Sequence, residues 1–407
     1  MIFQGIEFCN NPDPPYEKQK KVDVHIVAVN NSDNFYYNAN FSVFENLAGY
    51  SWRFKNGYEK GGRIIYENDF KGLSCRSFLP KVIYGISSLK FNSKTCEIFP
   101  GNYSFHKLEN VLKHCSAHMF ADDLCALRAG TDIAETCRLV QQDVDAVVKW
   151  SHDNGIVLNS EKTQYLIIHS PYSPLKETPL PIYTHTFDCI HRNTVNCSCK
   201  PIQRVNCVTY LGVKVDEHFS WIDHVNYLCN KLRTILSKFY HLSYRVPSST
   251  LRVLYKCMVE SVMDYALDCY GLTFKTHMEK LEKLQIRFLK LLVDKKTKNK
   301  YKKDYYKLFK ICKVLPISLK HKYILATNNH SKHEHNSPLT IVCNKNNTRS
   351  MSSGKYEVPR VNNVYGDRSL KKRIPYLLNH LPNEIREEKS KNRFKFKLKK
   401  YLFSTLP

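Results

Sequence analysis

The sequence has no long hydrophobic run, and none of its apolar stretches approaches the roughly 20 residues that a membrane helix needs. Residues 1–6 lack a basic flank and are too short for a secretory signal peptide. Acidic residues are scarce, with 37 Asp and Glu against 62 Lys and Arg, which gives a formal net charge of +25. These features argue against a membrane or secreted protein and favour a nuclear or cytoplasmic one with a polyanionic partner. A solvated, lysine-rich surface is the plain alternative.

The sequence also lacks a disulfide framework, because its 15 cysteines are odd in number and irregularly spaced from Cys9 to Cys343. The densest group of cysteines and histidines comprises His185, Cys189, His191, Cys197, Cys199 and Cys207. Such a density suggests zinc, but the spacing Cys-x₇-Cys-x-Cys-x₇-Cys is unlike a standard zinc knuckle. The alternative that the sequence favours is a β-hairpin extension ending in a strand at 207–215.

Helical periodicity is missing from the first 114 residues. Strand-like runs occur at 22–29, 35–44, 63–66 and 81–84, and glycine-containing turns separate them, such as Asn56-Gly57 and Pro100-Gly101. This pattern predicts a small antiparallel β domain. Glycosylation sequons at Asn30, Asn40 and Asn102 would suit a secreted surface, although an Asn-rich chain also produces them by chance.

Two adjacent carboxylates, Asp122 and Asp123, directly follow the small and apolar residues Phe120 and Ala121. Adjacent aspartates repel each other, and strands disfavour Asp, so a tight turn between two strands near a cation suits them best. Mg²⁺ typically binds one or two carboxylates plus substrate phosphates. In two-metal phosphoryl-transfer sites, ions about 3.5–4 Å apart stabilise the attacking and leaving oxygens. A solvated turn or a helix N-cap is the alternative.

The residues after this pair predict a fixed order of elements. Apolar spacing from Ile133 to Val148, closed by Trp150, predicts a helix. The turn signal Asn154-Gly155 follows, and then come a short strand at 156–159, Lys162 and a second strand at 165–168. The predicted order is acidic hairpin, helix, turn, short strand, lysine and strand.

Three blocks in this order resemble the reverse transcriptases of non-LTR (LINE-type) retrotransposons. FADD stands in place of the YADD box, WSHDNGIVLNSEKTQYLII at 150–168 resembles the next block, and VTYLGVKVDEHFSWIDHV at 208–225 resembles the block after that. The resemblance runs from about residue 115 to the C-terminus. It implies an RNA-directed DNA polymerase with Mg²⁺ as cofactor and with an RNA template and a DNA primer as partners.

The resemblance also assigns roles to particular residues. It implies that Asp122 is the chief Mg²⁺ ligand, with Asp123 as its neighbour, and that Lys162 lies near the incoming triphosphate. The strand pair at Tyr210-Leu211-Gly212 would grip the primer end, and Gly212 would allow a close backbone approach. Family members also carry an Asp box and a Gly-Gln-Gly box well before the acidic pair. Neither is found here, and Asp69 is the nearest lone candidate.

Residues 223–293 show three helical apolar periods, which resemble the family's thumb. Basic residues that could neutralise phosphates there are Lys231, Arg233, Lys238, Arg245, Lys280, Lys283, Arg287 and Lys290. The run at 295–310 mixes lysines with Tyr and Phe, which suits either a linker and a basic amphipathic helix or single-stranded nucleic acid. Residues 331–367 predict a loop or partial disorder, and the segment from Ile374 onward resembles the closing basic helix of such elements.

The predicted fold class is therefore α+β. It comprises an antiparallel β segment at 1–114, a partial polymerase palm (βαββ) with a Cys-rich hairpin at 115–222, a helical thumb at 223–293 and a helical basic region at 294–407. The missing boxes predict an incomplete, chimeric reverse transcriptase that is inactive alone and retains nucleic-acid binding.

The first segment has a second resemblance. The stretches YSWRFKNGYEKGG at 50–62 and CEIFPGNYSF at 96–105 are similar to insect secreted proteins related to the ML lipid-recognition β-sandwich. This resemblance implies a truncated sandwich with Cys75 and Cys96 as former disulfide partners. The alternative function is thus a lipid-binding sandwich fused to transposon-derived sequence, and a β-rich segment of unknown origin fits the same residues.

Overall fold

The computed structural model describes residues 108, 110–120, 123–154, 156–172, 175, 178–192, 197–330, 356–361 and 364–407. It also describes the backbone of five strands within the first 64 residues. Helices and small sheets are both present, as the α+β prediction requires. The stretches that carry the lipid-recognition resemblance lie almost entirely outside the described residues.

The strands are β1 (Ile2–Gln4), β2 (Glu7–Phe8), β3 (Val22–Asn30), β4 (Glu59–Lys60), β5 (Arg63–Ile64), β6 (Ser116–Phe120), β7 (Asp123–Gly130), β8 (Ile156–Ile168), β9 (Gln203–Arg204), β10 (Cys207–Tyr210) and β11 (Val213–Asp216). The helices are α1 (Ile133–Asp153), α2 (Phe187–Arg192), α3 (Ile222–Leu242), α4 (Ser248–Leu254), α5 (Ser261–Asp264), α6 (Leu267–Tyr270), α7 (Lys275–Leu289), α8 (Lys295–Lys300), α9 (Tyr305–Cys312), α10 (Ile317–Asn329), α11 (Val364–Asp367), α12 (Leu370–Asn379), α13 (Asn383–Arg386) and α14 (Lys391–Ser404).

The main sheet is built around the hairpin of β6 and β7. Strand β3 pairs in parallel with β7, from Val24–Leu124 to Asn30–Gly130, and in parallel with β8 at Val22–Leu158. The unit β7–α1–β8 is therefore a crossover between parallel strands with β3 placed between them. This differs from the prediction of a separate antiparallel β domain at 1–114, because β3 joins the sheet of the acidic hairpin. Strands β4 and β5 do form a small antiparallel pair of their own.

Helix α1 covers one face of this sheet. It begins at an N-cap, Asp132, whose side chain accepts hydrogen bonds from the amides of Ala134 and Glu135. Strand β7 alternates between two cores, as a sheet buried on both faces must. Leu124 and Ala126 pack with α1, whereas Cys125 and Leu127 pack with the β10–β11 hairpin and the helices that follow it.

The helical region after β11 contains the three predicted helices, with interruptions. Helices α3 and α7 pack side by side, and the rings of Phe239 and Phe288 meet edge to face with centroids 5.2 Å apart. The second helix continues from α4 through a π-helical segment at Tyr255–Glu260 into α5. It breaks at Ala266, whose φ of 54° is left-handed.

The C-terminal helices form a third core around α10. Lys320 on α10 lies 2.7 Å from a carboxylate oxygen of Glu260 and 2.9 Å from one of Asp264, which ties α10 to the preceding helices. Burial raises the pKa of Asp264 to about 6, against the opposing charge of Lys320. The loop predicted at 331–367 lies outside the described residues up to 355, and α11 gives its last four residues a helical turn. No helix within the described ranges is long and apolar enough to cross a membrane.

Candidate nucleic-acid interface

Asp123, the second residue of the acidic pair, begins β7 of the β6–β7 hairpin. Phe120, the last residue of β6, pairs with Asp123, the first residue of β7. Asp122 itself lies outside the described residues, and its predicted role stays a prediction. Asp123 is half-buried at the first position of β7, and the buried residues Leu124 and Cys125 follow it directly. The hairpin therefore holds a carboxylate at the end of a strand whose other residues are fixed by packing.

A buried carboxylate on α1 fixes the chain that enters this hairpin. The Asp143 side chain accepts hydrogen bonds from the backbone amides of Lys113 at 2.9 Å, His114 at 3.0 Å and Cys115 at 2.7 Å. Asp143 is only 2% exposed. Burial, together with this carboxylate, raises the pKa of the Cys115 thiol well above its usual value. Sequence reasoning missed Asp143, although its place within the apolar stripe of Val140, Val144 and Val147 is a signal.

The Tyr-Leu-Gly block forms a second hairpin from β10 and β11. Tyr210 pairs with Val213, and the two turn residues, Leu211 with φ 47° and Gly212 with φ 77°, both adopt left-handed backbone. Two-residue hairpins favour this geometry, and glycine reaches it without strain. The predicted single strand at 207–215 is therefore a hairpin, and Gly212 shapes its turn. The phenol of Tyr265 donates a 2.6 Å hydrogen bond to the Leu211 carbonyl.

The two hairpins lie beside each other. Tyr210 is fully buried, and burial raises its pKa well above the usual value. The neighbouring Cys125 and Asp123 raise that pKa further, because a phenolate would lie close to their negative charges. Cys125 and Tyr210 also share one hydrophobic core. Tyr210 thus packs against the strand that Asp123 begins, so two of the predicted site residues lie on adjoining hairpins.

Asp216 organises the loop that leads from this hairpin into α3. Its carboxylate accepts hydrogen bonds from the amides of His218 at 3.1 Å, Ser220 at 2.9 Å and Trp221 at 2.7 Å. Trp221 has a left-handed φ of 63° and is buried. The acceptor therefore holds a strained turn that sets the direction of α3. Sequence reasoning also missed Asp216, because an Asp followed by a polar loop reads as an ordinary turn.

Lys162 lies within β8, which merges the two strands predicted on either side of it into one. Its amide donates a 3.3 Å hydrogen bond to the Asn159 side chain, and its own side chain is exposed. Asn159 pairs with Asp23 of β3, whose neighbour Val24 pairs with Leu124. Strand β1 makes a second link between the two strands, because Phe3 pairs with Leu124 of β7 and Ile2 pairs with Gln164 of β8. Lys162 therefore lies on a strand that is joined to the acidic hairpin through both β3 and β1.

The predicted basic residues of α3 divide between two flanks of the helix. Lys231 lies 5.9 Å from the ring centre of Tyr227, and Lys214 of β11 lies 5.8 Å from the same ring. Lys238, seven residues after Lys231, lies on the same flank because a helix turns about 100° per residue. We call Lys214, Tyr227, Lys231 and Lys238 the Tyr227 stripe. Within the described part of the chain, its three lysines form no ion pair with a carboxylate.

Arg233 belongs to the opposite flank. It donates a 2.7 Å hydrogen bond to the Asn230 side chain. Its positive charge, with that of Lys280 on α7, partly offsets the burial that raises the pKa of Cys229. The structure therefore places Arg233 at the seam between α3 and α7 and separates it from Lys231 and Lys238.

The Cys- and His-rich segment folds differently from the predicted β-hairpin extension. It contains the short helix α2 and the short strand β9. His185, Cys189, Cys197 and Cys199 come together, and their ligand atoms all lie within 4.8 Å of one another. The backbone amide of Cys199 lowers the pKa of the Cys197 thiol. Cys207 lies elsewhere, in β10, where burial and the carboxylate of Asp223 raise its pKa to about 11.

The described residues do not by themselves make up a Mg²⁺ site at the acidic hairpin. Two-metal catalysis needs several carboxylates that bridge two ions, and Asp123 is the carboxylate described there. Within the described ranges, three or more metal-ligating side chains come together at His185, Cys189, Cys197 and Cys199, away from the acidic hairpin. The predicted ligand pair of Asp122 and Asp123 therefore stays a prediction.

The comparisons with known proteins agree with the family that the sequence blocks resemble. The chain is similar to RNA-directed DNA polymerases of LINE-type retrotransposons, which confirms the resemblance stated from its sequence. It is 24% identical over 174 residues to the "RNA-directed DNA polymerase from mobile element jockey" of Drosophila funebris, which covers 42% of this chain and 17% of that relative.

Two further proteins of retrotransposons show a similarity of the same kind. The "Probable RNA-directed DNA polymerase from transposon X-element" of Drosophila melanogaster is 22% identical over 42% of this chain and 18% of its own length. The "Retrovirus-related Pol polyprotein from type-1 retrotransposable element R1 2" of Nasonia vitripennis is 29% identical over 26% of this chain and 23% of its own length. The matched part thus spans less than a quarter of each of these relatives. No family model matches the chain, and no solved structure matches it.

Proposed function

We propose that residues 115–293 are the palm-and-thumb part of an RNA-directed DNA polymerase from a non-LTR retrotransposon. The observation that carries this proposal is the hydrophobic core shared by Cys125 of the acidic hairpin and Tyr210 of the Tyr-Leu-Gly hairpin, which sets the two hairpins beside each other. A polymerase needs its metal-binding carboxylates and its grip on the primer end side by side, because the primer 3′-hydroxyl reacts at the metal ions. In this proposal the Tyr210–Gly212 turn holds the primer strand, and Lys162 lies toward the incoming nucleotide.

The Tyr227 stripe supports nucleic-acid binding by this part of the chain. It begins on β11, the second strand of the Tyr-Leu-Gly hairpin, and continues along α3. Tyr227 is 40% exposed, which leaves its ring open to stacking by a base. Unpaired lysines release counterions when they meet phosphates, so this binding is salt-dependent. The partners that we propose are an RNA template and a DNA primer.

The proposal includes an absence of polymerase activity from this chain alone. The sequence carries neither the Asp box nor the Gly-Gln-Gly box of the family, and Mg²⁺ as cofactor rests on the resemblance. Asp23 of β3 is a candidate for the carboxylate that the missing Asp box would supply. The register places Asp23 of β3 opposite Asn159 and next to the pair Val24–Leu124, at the end of the sheet that carries the acidic hairpin. Asp23 is therefore the position to test as a substitute for the missing carboxylate.

The deciding experiment is primer extension on an RNA template with Mg²⁺, run beside filter binding of the same template–primer at several salt concentrations. The proteins compared are the unaltered chain, an Asp122→Ala/Asp123→Ala double variant and an Asp23→Asn variant. We expect no extension from any of them, and salt-sensitive binding from all three.

Extension that disappears in the double variant would refute the inactive assignment. Its loss in the Asp23→Asn variant as well would identify the third carboxylate. Failure of all three proteins to retain template–primer at low salt would refute the nucleic-acid-binding part of the proposal.

A further inference from the structure

A compact group of soft metal ligands lies outside the proposed polymerase site. The Nδ1 atom of His185 is 3.4 Å from the sulfur of Cys197 and 3.7 Å from that of Cys189, and Cys199 completes the group. All four residues are half-buried. Tetrahedral zinc, with bonds of about 2.3 Å to sulfur and about 2.0 Å to nitrogen, places its nitrogen and sulfur ligands about 3.6 Å apart. The two nitrogen–sulfur separations, 3.4 and 3.7 Å, match that value, and all four ligand atoms lie within 4.8 Å of one another.

The fold holds these ligands in place from both ends of the segment. Tyr183 and Pro201 form a β-bridge, and the Ile202 amide donates to the Ile182 carbonyl at 2.6 Å. The side chain of Gln141 on α1 accepts a hydrogen bond from the Tyr183 amide at 2.7 Å and donates one to the Tyr183 carbonyl at 2.9 Å. The ligand segment is thus a closed loop that is seated on α1.

We propose that His185, Cys189, Cys197 and Cys199 bind one zinc ion in a closed, four-coordinate structural site. Three thiolates and one imidazole are a ligand set that selects zinc over hard cations such as Mg²⁺. All four positions are filled by the protein, so the ion is held for structure and has no open position for a substrate. The ligands brought together in the structure have the spacing His-x₃-Cys-x₇-Cys-x-Cys. This set includes His185 and leaves out Cys207, the last residue of the four-cysteine spacing in the sequence.

Helix α1 also supplies a polar side chain behind the loop that carries His185. The side-chain amide of Gln141 donates a 2.8 Å hydrogen bond to the carboxylate of Asp145, and the same side chain holds the backbone of Tyr183, two residues before His185. Gln141 therefore serves as a positioning residue for the site.

The position of the cluster indicates what the ion stabilises. Strand β9 follows Cys199 by four residues and pairs with β8 at Gln164–Gln203 and Tyr165–Arg204. Ile182 and Ile202, which flank the loop, are buried in the core beneath α1. Zinc would join the outgoing and returning arms of the loop and so hold β9 against the edge of the main sheet. The bound ion would thus act as a structural cross-link next to the proposed polymerase site.

The test is the metal content of the full chain, produced with zinc in the medium, purified with a reductant and freed of loose metal by gel filtration. We expect one zinc ion per chain. The Co²⁺-substituted protein should show the absorption bands of a tetrahedral thiolate site, and X-ray absorption should report three sulfur ligands and one nitrogen ligand. These measurements use the unaltered chain, so they decide the question even if a variant fails to fold.

Variants then identify the ligands. Cys189→Ser, Cys197→Ser and His185→Asn should each lower zinc retention at least tenfold. The matched controls Cys207→Ser, His191→Asn and Cys257→Ser remove the same side chains outside the cluster and should retain the ion.

Three results would overturn the proposal: an unaltered chain that contains no zinc and has freely titratable thiols, a disulfide between cluster cysteines in the reductant-purified protein, or equal zinc loss in ligand and control variants.

Discussion

Replacement of Asp143 by alanine tests how the acidic hairpin is held. The carboxylate accepts from three consecutive backbone amides, at distances from 2.7 to 3.0 Å, directly before β6. In the alanine variant these three amides lose the acceptor that joins them to α1. The chain that enters the acidic hairpin then loses its attachment to the helix layer.

The expected size of the effect follows from these bonds. A hydrogen bond to a charged acceptor contributes about 1.5–3 kcal/mol, so three give an upper limit of about 9 kcal/mol. Each buried amide left without an acceptor costs about 1–3 kcal/mol, and water and local relaxation recover part of the total. We therefore expect a loss of about 3–5 kcal/mol. At about 2–4 °C per kcal/mol for a large domain, the melting temperature should fall by roughly 6–20 °C.

Urea unfolding followed by circular dichroism measures this loss, and hydrogen exchange of the β6 amides locates it. Asp153→Ala is the matched control, because Asp153 is exposed at the end of the same helix, and its loss should change stability by less than about 0.5 kcal/mol. Equal stability of the two variants would refute the reasoning. So would a large loss from Asp143→Ala with β6 exchange unchanged, because the hairpin would then be held by other contacts.

Two further predictions concern acid stability and salt. Burial, followed by the charge of Lys214, lowers the pKa of His224 to about 4. The unfolded chain therefore binds more protons below about pH 6.5, and the stability contribution present above that pH is lost as the pH falls toward 4. His224→Gln should flatten the pH dependence of unfolding by about 1.4 kcal/mol per pH unit in this window, and an unchanged slope relative to His191→Gln would contradict the assignment. In template–primer binding, Lys231→Ala/Lys238→Ala should reduce the salt slope by about 1.4–1.8, whereas Lys296→Ala/Lys298→Ala removes the same charge elsewhere and should have a smaller effect. Equal losses from the two pairs would mean that net charge alone drives the binding.

The local elements of this protein could be predicted from its sequence because short-range physics determines them. Adjacent aspartates after an apolar run require a turn, and the spacing from Ile133 to Val148 requires a helix, which α1 provides. The residues alone predict a strand at 207–215, the family resemblance implies a strand pair at Tyr210-Leu211-Gly212, and the structure has a hairpin with its turn at Leu211 and Gly212. A glycine inside a strand-like run was the available signal for that turn.

The contacts that join distant parts of the chain could not be predicted in the same way. The pairing of β3 with β7 joins residues about 100 positions apart, and nothing in the local pattern of 22–30 distinguishes a parallel partner from an antiparallel one. The roles of Asp143 and Asp216 depend on amides that only the folded chain brings to them. The proposed zinc ligands could be predicted in part. His185 and Cys189 are spaced as one helical turn, which is a local signal, whereas their approach to Cys197 and Cys199 depends on how the loop closes.

The contact of Lys320 with Glu260 and Asp264 means that salt and acid act on different parts of this protein. All three side chains are largely shielded, so high ionic strength weakens their attraction far less than it weakens the hold of exposed lysines on phosphates. Concentrated salt should thus strip bound nucleic acid while leaving the C-terminal helices attached. Mild acid should do the reverse, since protonation of Asp264 near pH 6 removes one of the two charges facing Lys320. A purification that uses salt at neutral pH therefore separates the chain from its ligands without opening its fold.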